Sequence, residues 1–153
     1  MIKFTFSNLA YKPTVYKTVI IGVEMNPDLC NLALQTTQQF KMQDRVQIVN
    51  AELSTRLDLV QSADVIVLNN VFDWFVPVNV QVNLWQLLRQ NIKKGSLIVT
   101  IPSIEEALEK LPNNAGIDIN QWVKPSPPFR PSRLPSEDVS EKCEAIKLYS
   151  VIF

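Results

Sequence analysis

The sequence predicts an α/β fold built on a mostly parallel sheet. Two observations predict it. Short apolar runs bounded by polar residues stand at 19–23, 65–68 and 97–101, and an alternating run at 46–49; such runs suit strands of a sheet covered on its faces. Between them lie segments whose apolar residues recur at helical spacing. The resulting order, strand–helix–strand–helix–strand–helix–strand, implies parallel strands joined by right-handed crossovers. At 153 residues, with 46% hydrophobic residues, the whole chain, 1–153, is expected to be a single domain with a real core.

Taken in order, residues 1–17 are an atypical N-terminal segment in which only 2–6 (IKFTF) alternate like a strand. The run 19–23 (VIIGV) ends in an acid, Glu24. Asn26 then suits a helix cap, Pro27 its first turn, and Asp28 the positive end of the helix dipole. Leu29, Leu32, Ala33, Thr36 and Phe40 share one face, the face expected to turn inward, and the helix is expected to end near Lys41. Residues 45–50 (RVQIVN) read as a short strand. Residues 53–61 read as a weaker helix with Leu53, Leu57 and Val60 on one stripe. Residues 64–69 (DVIVLN) read as a central strand.

A strong amphipathic helix is expected over 79–92, carrying Val80, Leu84, Leu87, Leu88 and Ile92 with Trp85 beside them. Lys93, Lys94 and Gly95 supply its stop. Residues 96–101 (SLIVTI) form the next strand. Beyond Pro102 the pattern changes: a short helix over 104–111, a strand over 117–123 (IDINQWV), then a proline-rich loop over 124–140. Five prolines between 124 and 136 exclude a regular element there. Residues 144–153 (EAIKLYSVIF) alternate as a final strand, antiparallel over 146–151.

Composition removes several function classes. The formal net charge is zero, so no strong nucleic-acid or membrane signal comes from charge. No apolar run is long enough to span a bilayer, and the first residues lack a secretory layout; the expected compartment is cytoplasmic or nuclear. There is no histidine, which takes away the commonest general base and metal ligand. No metal site is expected. Cys30 and Cys143, far apart in sequence, read as two free thiols in a reducing compartment, with a disulfide between them as the alternative.

The candidate site residues sit where apolar runs end. An acid at the tip of the second strand of a doubly wound sheet is placed to hydrogen-bond a ribose. Glu24 occupies that position, followed by Met25. A glycine-rich turn should precede it by about twenty residues; residues 1–17 contain no glycine. Glu52 reads either as a ligand or as an acid at a helix start. Asn69 and Asn70 follow an apolar strand at its carboxyl end, where ligands bind in open parallel sheets; the same pair also suits a turn bonding its own backbone. Phe72, Trp74 and Phe75 either wall a pocket or cover the core. Asp73 is the one carboxylate among them and a candidate proton acceptor. Pro102 and Ser103 end the fifth strand. Arg130 and Arg133 stand in the proline-rich loop, solvated by default.

These stations resemble a class I, Rossmann-like S-adenosylmethionine-dependent methyltransferase over roughly residues 17–106. The resemblance implies that Glu24 holds the ribose hydroxyls, that Ala51 and Glu52 are the small-plus-acid pair whose acid meets the adenine, and that Asn69 and Asn70 lie at the catalytic motif. It places SLIVTIP as the fifth strand. The stretch LNNVFDWF also resembles the non-SET histone-lysine methyltransferases, which carry paired asparagines followed by an aromatic. The implied cofactor is S-adenosylmethionine, with Glu24, Met25, Ala51, Glu52 and Asn69 as its contacts. The implied acceptor site is Asn69, Asn70, Phe72 and Asp73, and the acceptor is a protein or a small molecule. The family's first strand is central, between the second and fourth, and its glycine-rich loop has no counterpart here; strand and loop are missing or replaced.

Three expectations follow from that departure. The chain is an enzyme transferring an activated methyl group to nitrogen or oxygen. Or it is a binding or regulatory module that keeps the fold without catalysis. Or it is a shortened form of a longer methyltransferase with impaired cofactor binding, the missing element being supplied by a partner protein if at all. Removing a central strand exposes two interior edges whose unpaired backbone groups cost about 1–3 kcal/mol each. The only segment available to fill that slot is 2–6.

Overall fold

The computed structural model describes residues 2–7, 18–69, 72, 76–127 and 145–153. Seven strands form one sheet: β1 Ile2–Ser7, β2 Thr18–Glu24, β3 Val46–Asn50, β4 Val65–Asn69, β5 Leu97–Ile101, β6 Val123–Pro125 and β7 Lys147–Val151. Their spatial order is β3-β2-β1-β4-β5-β7-β6. Among the described residues four α-helices accompany them: α1 Pro27–Gln39, α2 Leu57–Ser62, α3 Val78–Asn91 and α4 Ile104–Glu109. The expected parallel pairs are present, β2 with β3 and β4 with β5, and β7 runs antiparallel to β5.

The central slot is filled, and filled backwards. β1 lies between β2 and β4 and is antiparallel to both. It pairs with β2 from Ile2↔Val23 to Ser7↔Thr18 and with β4 from Lys3↔Val67 to Thr5↔Val65. The interior edges of β2 and β4 thereby find backbone partners, which removes the penalty that an empty slot would carry. Segment 2–6 is the strand that fills it.

One core cluster forms from residues expected to be apolar and central. Val60, Ile66, Leu88, Ile98, Ile104 and Leu108 are fully buried. α3 packs inward through Trp85 and Leu88, as its periodicity predicts. Residues 53–61 divide into a 3-10 turn at Leu53–Thr55 and the helix α2.

α1 departs from expectation in the face it buries. Leu29, Leu32 and Phe40 are 49%, 59% and 63% exposed, while Cys30 and Thr37 are buried. The reason lies in what α1 packs against. β3 is the outermost strand on that side, and none of its side chains is fully buried. A helix lying on such an edge seats short side chains at close approach and leaves the long ones at the rim.

Residues 117–123 are not a strand. Asp118 accepts from the Asn120 N–H at 3.1 Å and from the Gln121 side chain at 2.8 Å. These local bonds compete with ladder formation and turn Ile119–Gln121 into a 3-10 segment. The strand begins instead at Val123 and includes Lys124 and Pro125, two residues expected in the loop. Proline is tolerated because β6 ends the sheet and needs no donor on its outer side. The rest of the proline-rich segment, from 128 onward to 144, and Cys143 with it, lies outside the described residues.

Candidate functional site

The registers place the candidate residues in one row. Lys3 faces both Gly22 on β2 and Val67 on β4. Two residues further along each strand, Glu24 and Asn69 therefore stand at the same level. They are two strand spacings apart, about 10 Å along the sheet. Asn50 continues the row beside Glu24, and Ile101 beside Asn69. This is the carboxyl edge of the parallel strands.

Glu24 is 9% exposed. One of its carboxylate oxygens, Oε1, accepts from the Asn26 N–H at 3.0 Å. Burial works to raise its pKa, but donated hydrogen bonds, the Asn26 and Met25 N–H groups among them, hold the carboxyl below its ordinary 4.5. Because the folded value is the lower one, the Glu24 contribution to stability is whole above that ordinary value. It is lost as pH falls through the folded value. A Glu24→Gln variant should therefore show a flatter loss of stability below about pH 4.5 than the parent, read from urea midpoints at stepped pH.

The turn that carries Glu24 is held from β3. The Ala51 N–H donates to the Glu24 carbonyl at 3.1 Å, and Cys30 Sγ donates to the same oxygen at 3.2 Å. Asn26 caps α1, its side chain accepting from the Asp28 and Leu29 N–H groups at 2.9 and 3.3 Å, as the sequence predicts. Met25 is 70% exposed, directly beyond the acid. Ala51 is half-buried. Glu52 is exposed at the start of the 3-10 turn, and its side chain makes no capping bond to it.

Asn69 ends β4 and is exposed. Phe72 is buried, its ring edge-on to Trp85 at 5.5 Å between centroids. Asn70, Asp73, Trp74 and Phe75 lie outside the described residues, as do Arg130 and Arg133. Beyond β5, Ser103 caps α4 in a reciprocal box with Glu106. Tyr149, on β7, donates its hydroxyl to Glu105 and accepts from the Ile104 N–H at 3.3 Å. Burial, with the Glu105 carboxylate beside it, pushes that hydroxyl well above its ordinary range. The tyrosine thus fastens the β5–α4 corner to β7. Among the described residues no group of three potential metal ligands comes together, and no helix is long and apolar enough to cross a membrane.

Two features at this edge have no counterpart in the sequence reading. One is the tyrosine clamp, which no spacing announces. The other is Asn50, whose only sequence mark is a polar residue closing an alternating run just before Ala51.

No family model matches the sequence, and no curated protein matches it. Solved structures do. A protein from Clostridium thermocellum assigned as an rRNA-methylase superposes with a TM-score of 0.51 at 10% identity, covering 87% of this chain and 72% of that one. The fold is that of the class I methyltransferases. A methyltransferase from Geobacter sulfurreducens gives 0.49 at 10% identity over 87% of this chain and 57% of its own. An RNA methyltransferase from Salinibacter ruber, crystallised with S-adenosyl-L-homocysteine, gives 0.47 at 19% identity over 86% and 64%. The chain thus spans less than two thirds of the length of these last two. The local likeness of LNNVFDWF to histone methyltransferases finds no support among these structures. Within the methyltransferase fold the row from Asn50 to Ile101 lies on the edge where ligands bind in open α/β sheets.

Proposed function

We propose that this chain is an S-adenosylmethionine-dependent methyltransferase domain that keeps the nucleoside half of its cofactor site and has impaired binding of the other half. The observation that carries the reading is the direction of β1. A parallel first strand would leave the sheet at the level of Glu24 and turn there. β1 runs the other way, so its Ser7 end lies at the opposite edge, opposite Thr18. No glycine-rich turn follows a strand at the candidate site. Backbone N–H groups closely approached by a ligand need such a turn, because a Cβ fills the space.

The residues present fit the ribose and adenine. Glu24, deprotonated at neutral pH, is fixed by its turn at the carboxyl end of β2. Glu52 is exposed on the next strand's loop. Asn69 stands across β1 from Glu24, and Asn70, Phe72 and Asp73 follow it in sequence. When bound, the cofactor supplies an activated methyl group. The chain's own part is to hold the nucleoside and to exclude or admit the acceptor at Asn69. The methionine portion has no such cradle. The same reversal of β1 favours a second reading, a non-catalytic module for protein binding or regulation built on the methyltransferase fold.

Titration calorimetry of the purified chain with S-adenosylmethionine and S-adenosylhomocysteine tests the first reading. The expected result is binding far weaker than micromolar. A micromolar or tighter dissociation constant, or methyl transfer by the chain alone, would overturn impaired binding. Where binding is measurable, Glu24→Ala should weaken it by about 1.5–3 kcal/mol, the scale of a hydrogen bond to a charged group. An unchanged affinity would remove Glu24 from the site.

A further inference from the structure

We infer that Asn50 is the positioning residue that aims the Glu24 carboxylate. Asn50 and Glu24 are register partners across the β2–β3 pair. The Asn50 side-chain amide donates to the Glu24 carbonyl at 3.0 Å and to the Met25 carbonyl at 3.1 Å, with Cys30 Sγ at 3.4 Å beside them. An amide nitrogen carries two hydrogens, and two well-placed carbonyl oxygens use both. The sulfur, a weak acceptor, adds little.

The second of those bonds matters most. The Met25 carbonyl and the Asn26 N–H belong to one rigid, planar peptide. Pinning the oxygen sets the direction of the N–H. That N–H is the group that donates to Glu24 Oε1 at 3.0 Å. The path is therefore continuous: Asn50 Nδ2 to the Met25 oxygen, through the peptide plane, and back to the Glu24 carboxylate. The first bond fixes the preceding peptide plane, where Ala51 N–H and Cys30 Sγ also converge on the Glu24 carbonyl. Asn50 touches no reacting group on this view; it acts through Glu24.

The role in ligand binding rests on the proposed function, but the orienting role does not, and the test separates them. Asn50→Asp has nearly the same shape and puts an acceptor against two carbonyl oxygens. Asn50→Ala removes the donor without adding repulsion and serves where the aspartate variant fails to fold. The first readout is the Asn26 amide proton in the ligand-free chain, whose NMR shift reports its bond to the carboxylate. It should move upfield in both variants and stay put in a Thr37→Ser control elsewhere on α1. An unchanged Asn26 signal in folded variants overturns the inference, even if their melting temperatures fall. The second readout is titration with S-adenosylhomocysteine. Affinity should fall about tenfold, the scale of one such hydrogen bond. If the Asn26 signal moves and the parent chain does not bind this probe at all, Asn50 keeps its orienting role and the ribose assignment of Glu24 is what fails.

Discussion

Thr5→Pro is expected to destabilise the chain by about 3 kcal/mol or more. Thr5 pairs with Ile20 on one side and Val65 on the other. It is therefore interior to the ladder, where proline removes a donor and its ring crowds the neighbouring strand. The carbonyl that loses its partner is then left unsatisfied in the middle of the sheet, a cost of about 1–3 kcal/mol by itself. Thr5→Val keeps both the backbone donor and the preference for extended structure, and should change stability by less than about 1 kcal/mol. Urea denaturation of the two variants followed by circular dichroism is the measurement. Equal midpoints would mean that β1 does not hold the centre of the sheet in solution.

The second large effect is expected at Trp122. It is fully buried, and its ring meets Trp85 edge-on at 6.2 Å, which in turn meets Phe72. Three aromatic side chains thus tie the β6 strand start to α3 and to the loop beyond β4. Trp122→Ala should cost about 3–5 kcal/mol, the range for emptying an aromatic site in a packed core. Trp122→Phe should cost much less. The indole Nε1 has no hydrogen-bond partner among the described residues. Losing that N–H relieves an uncompensated burial and offsets part of the lost contact. Parallel denaturation curves decide it: a phenylalanine variant as weak as the alanine one would show that the indole N–H has a partner after all.

How much of this was legible beforehand depended on whether a signal was local. The four parallel strands were readable because each apolar run is bounded by polar residues. α3 was readable because Trp85, Leu88 and Ile92 repeat toward the buried core. The inward face of α1 was not, because Leu29, Leu32 and Phe40 follow the helical period as well as Cys30, Ala33 and Thr37 do. What decides between them is how little of β3 is buried, a property of strand order. The strand expected at 117–123 failed for a local reason that alternation hides, the side chain of Asp118. At the candidate site, the position of Glu24 at a strand end was visible, and so was the absence of glycine ahead of it. The direction of β1 was not, since IKFTF reads the same whichever way it lies. Asn50 was missed because its work is done across strands, on carbonyl oxygens that no sequence pattern displays.

The reversed central strand also changes how the sheet is reached in time. A parallel strand in that slot needs a crossover before any of its pairs can close. β1 and β2 close instead through pairs separated in sequence by 11 residues at Ser7↔Thr18, from 18 − 7, and by 21 at Ile2↔Val23, from 23 − 2. The pairing of β1 with β4, as at Thr5↔Val65, spans 60 residues, from 65 − 5. Low contact order at the middle of a sheet lets that middle form early and cheaply in loop entropy. β3 can then add to one side and β4 to the other, each meeting an edge that already exists. Among the described strand pairs, the one at the centre of the sheet is thus the most local in sequence.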